Sequence, residues 1–171
     1  AKTRVNSVLP APMQLGSGTY DLLPSITWLE QFDNWSYGSQ ASGIIRLEDK
    51  NDQNYRLGHV FELTNWASTN LAEWISLSTG LAYKNTGKPK GNQKDVNQGP
   101  MIGRHTVTTA YGDNYGGERI DFLLGLNLLG TSGALKGHGL SADIRLPVWQ
   151  DLNGYQLETD WTLSIGWRKA F

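Results

Sequence analysis

The sequence predicts an all-β fold: an antiparallel transmembrane β-barrel, or the C-terminal seven to eight strands of a larger one. Three observations carry that expectation. The first is composition: 20 Gly, seven Trp and seven Tyr in 171 residues, no Cys, and 18% charged residues. That balance suits turn-rich β structure better than helices. The second is a period of two in hydrophobicity that recurs along most of the chain with no helical period competing. The third is a regular exchange of short and long connections between the alternating segments. A mean hydropathy of −0.42 is no objection, because strands alternating apolar with polar residues leave little trace in an average.

Seven segments alternate. TYDLLPSITW (19–28) sets Tyr20, Leu22, Pro24, Ile26 and Trp28 against Thr19, Asp21, Ser25 and Thr27. WSYGSQASGIIRL (35–47) is the least regular, with Trp35, Tyr37, Ala41, Ile45 and Leu47 on its apolar side. YRLGHVFELT (55–64) places Tyr55, Leu57, His59, Phe61 and Leu63 on one side. WISLSTGLAY (74–83) does the same with Ile75, Leu77, Leu81 and Tyr83. RIDFLLGLNL (119–128) offers Ile120, Phe122, Leu124, Leu126 and Leu128, and GLSADIRLPV (139–148) offers Leu140, Ala142, Ile144, Leu146 and Val148. The seventh begins near Leu157 and contains WTLSIGWRKAF (161–171), with Trp161, Leu163, Ile165, Trp167, Lys169 and Phe171 on one side. Spans of about ten residues match a tilted strand crossing a bilayer.

The opposite faces mix small residues with charges of both signs. Arg46, Arg56, Glu62, Arg119, Asp121, Asp143, Arg145, Asp160 and Arg168 are the expected lumen and selectivity residues, because a crowded interior admits small side chains and balanced charge. A solvated sandwich face would accept the same residues, so the connections weigh more. With Phe171 on the periplasmic side, the periplasmic turns are 29–34, 67–73 and 129–137, and the external loops are 48–54, 84–117 and 149–156. Short turns on one side and long loops on the other are a barrel's asymmetry. Aromatics gather at or near strand ends. Tyr20, Trp28, Trp35, Tyr37, Tyr55, Tyr83, Trp149, Trp161, Trp167 and Phe171 are the expected membrane girdle, with Trp66, Trp74 and Tyr155 close by; amphipathic rings settle at headgroup level.

An apolar face running to Phe171 suits a last strand that closes against lipid, and it resembles the signal read by the bacterial barrel-assembly machinery. Lys169 can snorkel at the interface. MQLGSGTYDLLPSITW (13–28), DNWSYGSQASGIIRL (33–47), GGERIDFLLGLNLL (116–129) and LPVWQDLNGYQLETDWTLSIGWRKAF (146–171) are similar to a family of bacterial outer-membrane barrels. That family is named for the meta-pathway of phenol degradation and commonly described as transporters. The resemblance covers 12–171 and is most specific at GSGTYDLLP and at QDLNG and QLETDW. Tyr155 stands where the family pattern has Pro, and Arg145 lies in a segment usually richer in Gly. The resemblance implies an outer-membrane location and a place among barrels for hydrophobic compounds.

Residues 1–18 are expected as an external loop or poorly defined N-terminal segment, and 19–171 as barrel strands. Single-chain bacterial barrels have even strand numbers. Seven strands therefore imply an eighth in 2–9 or the C-terminal part of a longer barrel, and the poor alternation of KTRVNSVL favours the second.

A net charge of −1 and a pI near 6.3 give no field to recruit nucleic acid. No metal, cofactor or catalytic residue is expected: His59, His105 and His138 lie at no metal-ligand spacing from one another. A Ser–His hydrolase would need a histidine beside a serine on the wall, whereas His59 on the apolar face reads as a girdle or protomer contact. EDKNDQN (48–54) lacks the Gly and closing Glu of a calcium loop and reads as a polar hairpin loop. DNYGGE (113–118) reads as a turn, GSG (16–18) is no phosphate loop, and the sequon Asn34-Trp35-Ser36 has little meaning in a bacterial barrel. Arg119 and Asp121 alternate in step with Asp143 and Arg145, so the two segments are expected to pair charges across the sheet. The functional expectation is passive passage or binding of small aromatic or hydrophobic molecules, gated by 84–117. The expected partners are the lipid bilayer, the solute and the assembly machinery. An outer-membrane hydrolase and a soluble β-sandwich stacking sugars on exposed Trp are the alternatives.

Overall fold

The structure, a computed structural model, describes residues 15–91 and 111–170. Its strands are β1 (Asp21–Leu22), β2 (Ser25–Gln31), β3 (Trp35–Arg46), β4 (Tyr55–Arg56), β5 (Val60–Ala72), β6 (Ile75–Thr86), β7 (Lys90–Gly91), β8 (Gly117–Leu129), β9 (His138–Leu152) and β10 (Thr162–Lys169). Eight of them form one antiparallel sheet in the order β1/β2, β3, β5, β6, β8, β9, β10, while β4 and β7 make a separate two-stranded sheet. Each of the seven alternating segments contributes to the large sheet. The described residues do not close into a barrel: β1 and β2 at one edge and β10 at the other are paired on one side only.

β1 and β2 are one run interrupted at Pro24, which has no N–H to give the ladder. Its carbonyl still accepts the Gly43 N–H at 3.0 Å, so the register continues from Leu22↔Ile45 to Ser25↔Ser42. The connections keep the expected asymmetry with changed bounds. Residues 32–34, 73–74 and 130–137 join strands at one end; 47–59, 87–116 and 153–161 do so at the other. Residues 67–73, expected as a turn, belong largely to β5, and the reversal needs only Glu73 and Trp74.

The segment expected as a strand from residue 55 splits in two. Asn54 adopts a left-handed conformation (φ 64), and Tyr55 and Arg56 peel away to pair with Gly91 and Lys90. The Gly58 and Gly87 backbones then touch so closely that a Cβ on Gly58 would overlap the Gly87 carbonyl. Tyr55 is therefore buried in the loop sheet instead of standing in a girdle, and Arg56 is buried 3.7 Å from Asp49 instead of lining the wall. His59 lies in the connection, where its Nδ1 accepts the Arg46 N–H at 3.1 Å.

Two irregularities adjust the faces. A bulge at Leu71 offsets β5 from β6. In β9, Ile120 faces Trp149 while Asp121 faces Pro147, so Val148 is an extra residue and Trp149 takes over the apolar face.

Burial is inverted relative to an ordinary two-layer domain. On the apolar face Ile165 is 69% and Leu81 52% exposed; on the polar face Asp121 is 1% and Ala82 0% exposed. Among the described residues the buried apolar side chains are Tyr55 and Ala82, so no second layer covers the oily face. The sheet instead curls around its polar side. Glu62 on β5 and Arg145 on β9 meet at 3.0 Å over that side, their long side chains reaching across three strand steps, about 14 Å.

The curl needs glycine where bulky side chains lie across the floor. Trp66 is flanked in register by Gly38 and Gly80, and a Cβ on Gly38 would overlap its indole. Gly38→Ala is expected to lower stability by about 1–3 kcal/mol, with most of the loss recovered in the Gly38→Ala/Trp66→Ala double variant. Urea unfolding followed by circular dichroism measures both.

Candidate functional site

The concave face is built by even-numbered residues of β3, β5 and β6 and odd-numbered residues of β8 and of β9 before its bulge, as the register dictates. Long charged side chains meet there over small ones. Arg145 Nη1 donates to Glu62 Oε1 at 3.0 Å and lies 4.0 Å from Asp121. Arg119 Nε lies 3.1 Å from the Asp121 carboxylate, and its Nη1 donates to Thr159 Oγ1 at 3.2 Å. Ala82, directly opposite Asp121 in register, leaves room for the network above β6. A carboxylate as enclosed as Asp121 is tolerable only because two guanidinium groups face it.

The expected neighbour-to-neighbour pairing of charges between the fifth and sixth segments is not what forms. The register sets Arg145 opposite Leu123, Asp143 opposite Gly125 and Arg119 opposite Gln150. Arg145 reaches diagonally to Asp121 and across the concavity to Glu62, and Arg119 pairs with Asp121 along its own strand. Asp143 is exposed and takes no partner among the described residues. Arg168 lies along Gly139 at the opposite end of β9, and Asp160 is exposed just before β10. Arg46 is a staple at the long-loop end. It pairs with Asp21, its register partner, which also accepts the Ser17 and Thr19 hydroxyls at 2.7 and 2.8 Å.

The long-loop end is stitched together by side-chain amides. Asn51 Oδ1 accepts the backbone N–H of Gln53 and of Tyr55 at 3.0 and 3.2 Å, and its Nδ2 donates to Ser17 O at 3.1 Å. EDKNDQN thus spends a would-be metal ligand on its own turn. Gln150 clamps Thr159 from both sides, donating to its carbonyl at 3.0 Å and accepting its N–H at 3.1 Å. Gln156 Nε2 reaches Gly116 O and Asn153 O, both at 2.7 Å, and burial pushes the nearby Tyr115 phenol above its ordinary pKa. Since Gln150 and Arg119 belong to the polar face, 153–160 leans over that face and narrows this end. Residues 92–110, which include His105, lie outside the described residues.

The aromatics of the expected girdle occupy both ends. Trp28, Trp35, Tyr37 and Trp167 lie toward the short-turn end, where Phe32 stacks on Trp35 at 4.1 Å and Trp167 Nε1 donates to His138 Nδ1 at 3.2 Å. Tyr20, Tyr83, Trp149 and Trp161 lie toward the other end. Tyr20 and Trp28 are eight residues apart and Trp74 and Tyr83 nine, about 26–30 Å along a strand. Phe171 lies outside the described residues. Neither His59 nor His138 has a serine hydroxyl as a partner among the described residues, and no group of three or more His, Cys, Asp or Glu among them could hold a metal.

Gln150 and Thr159 join the polar face without having been picked out from the sequence, and Trp66, expected close to the strand-end aromatics, lies inside β5 on that face. For Trp66 a signal existed: its even position in β5 puts it opposite the apolar residues, with glycines as both cross-strand neighbours. Fold and site together define a curled antiparallel sheet with a charged concave face and an exposed apolar one. No protein-family model matches the chain, and no curated protein matches it.

Replacing Asp121 by Ala leaves Arg119 without its carboxylate and Arg145 with Glu62 alone, so a loss of about 3 kcal/mol is expected. Asp143→Asn should stay within about 0.5 kcal/mol of the parent. Urea midpoints of the two variants decide whether the network or charge in general matters.

Proposed function

We propose that this chain belongs to a bacterial outer-membrane β-barrel of the phenol meta-pathway family type, offering small aromatic or hydrophobic molecules a passive route or binding site along its polar face. The observation that carries this reading is the inverted burial. A face bearing Leu77, Leu81, Leu124, Leu140, Leu163 and Ile165 is exposed, while the opposite face buries Asp121, Ala82, Gly38 and Gly125 and half-buries Glu62 and Arg119. Hydrocarbon tails would cover such a face at no desolvation cost, and a polar interior is what an outer-membrane lumen requires. A β-sandwich would instead lay a second sheet on the apolar side, and the described residues supply none.

Further support comes from strands of 12 to 15 residues in β3, β5, β6, β8 and β9, long enough to span a bilayer at a tilt. The aromatics at both strand ends and the loop asymmetry point the same way. A solute would enter past 153–160 and move along the charged face. Lipid covers the outside, and the free edge of β10 is what the barrel-assembly machinery would engage by strand addition. A hydrolase reading finds less support, because the Nδ1 atoms of both described histidines already accept N–H groups.

The protein should need an amphiphile to stay dispersed and should migrate differently on a gel before and after heating. A monodisperse, water-soluble particle without detergent would sink the reading. Leu124→Arg, which places a charge on the apolar face, should cost about 2–4 kcal/mol of stability in bilayers and lower the yield of folding into lipid vesicles. Arg145→Ala should change single-channel conductance in planar lipid; unchanged flux together with impaired folding would assign the Glu62–Arg145 bridge to structure alone.

A further inference from the structure

The concave face contains a trough of about 370 Å³ between β5 and β9, within the size range of small-ligand sites. Ser78, Leu123 and Gly125 form its floor, Trp66 one wall, Asp143 and Arg145 the other. We propose that this trough binds a planar aromatic molecule bearing a cationic or hydrogen-bond-donating head group, with the ring against Trp66 and the head group at Asp143. The proposal deepens the passage reading and rests on it.

Charge accounting selects the head group. Arg145 is already engaged by Glu62 at 3.0 Å and faced by Asp121 at 4.0 Å, so little of its charge is left for an anionic solute. Asp143 has no hydrogen bond or ion pair among the described residues and stands as a ready acceptor. Gly125 sharpens the site. A Cβ there would overlap Ser78 Oγ and come within 2.6 Å of Asp143 Oδ1, so its absence lets two oxygens converge on one spot. The Asp143 carboxylate, with the Ser78 hydroxyl beside it, suits an ammonium or a hydroxyl and repels a carboxylate. Trp66 adds to the same preference, because an indole face attracts cations.

The test uses the full chain in detergent micelles, with benzylammonium, benzyl alcohol and benzoate as probes and calorimetric titration as the readout. Benzylammonium is expected to bind about tenfold more tightly than benzoate, with benzyl alcohol between them. Asp143→Asn should erase most of that preference, and Trp66→Ala should weaken all three probes. Circular dichroism shows whether each variant folds; should Trp66→Ala fail to fold, Trp66→Phe retains a ring and should retain binding, while Asp143→Asn remains the deciding variant. Benzoate binding as tightly as benzylammonium, or a preference untouched by Asp143→Asn, overturns the proposal. The micelle measurement is independent of conductance: flux without preference removes this site and leaves passage, whereas preference without flux removes passage and leaves this site.

Discussion

A strand sends successive side chains to opposite sides, and seven segments of this chain alternate apolar with polar residues. The fold must therefore find surroundings for an oily surface and a charged one at the same time. Proteins in water usually hide the oily face against another layer. Here the sheet bends the other way, and the bend is held by ions. Glu62, Arg145, Asp121 and Arg119 form a chain of contacts across β5, β8 and β9, which ties strands up to three steps apart to one another over the polar side. Each charge enclosed in that network is tolerable because its neighbour is of opposite sign. Partial loss of the network costs more than its pairwise contacts suggest, since the survivor is left enclosed and unpaired.

Small residues make that curvature possible. Long side chains on the inside of a bend compete for a shrinking volume, and the sequence places glycine or alanine beside several of them. Gly38 lies under Trp66, Gly125 beneath Asp143 and Ser78, Gly139 along Arg168, and Ala82 opposite Asp121. On the outside of the bend the constraint relaxes, and there the branched and aromatic residues collect. The alternation of small-polar with large-apolar residues is thus a steric pattern as much as a hydropathic one. This is why so glycine-rich a chain can still form strands of 12 to 15 residues.

Much of this was legible in the residues, for a simple reason: period two is a local property, and so is a change of connection length. The faces of β3, β6, β8 and β10 follow directly from reading every second residue. What the sequence hid was non-local. Nothing near Glu62 announces Arg145, 83 positions away, because the contact depends on a strand order and register that no single strand encodes. Tyr55 and Arg56 continued the alternation of the following strand in the sequence, yet the left-handed turn at Asn54 and the contact of Gly58 with Gly87 detach them. The register sets Arg145 opposite Leu123 and Asp143 opposite Gly125, two residues or more out of step with Asp121, so that charges alternating in phase along the sequence do not meet as neighbours. The case for a membrane barrel stands on the inversion of the faces.

The two edges of the sheet extend the same physics. β1/β2 and β10 each leave one side of their backbone unpaired, and on β10 this amounts to about four N–H and four C=O groups. Water satisfies such groups; hydrocarbon does not, and each orphan there costs several kcal/mol. If lipid covers the apolar face, both edges must be paired within the membrane. Counting strand directions across the sheet shows that β2 and β10 run the same way, from the long-loop end to the short-turn end. They cannot close on each other antiparallel, nor can β10 of one copy pair antiparallel with β2 of another lying in the same orientation. An antiparallel ring needs an odd number of further strands, supplied by this polypeptide or by a partner, each alternating in the same phase. The hydrogen-bond demand of the edges and the hydropathy of the faces therefore constrain one object: a strand with lipid on one side, the charged face on the other, and the opposite direction to β10.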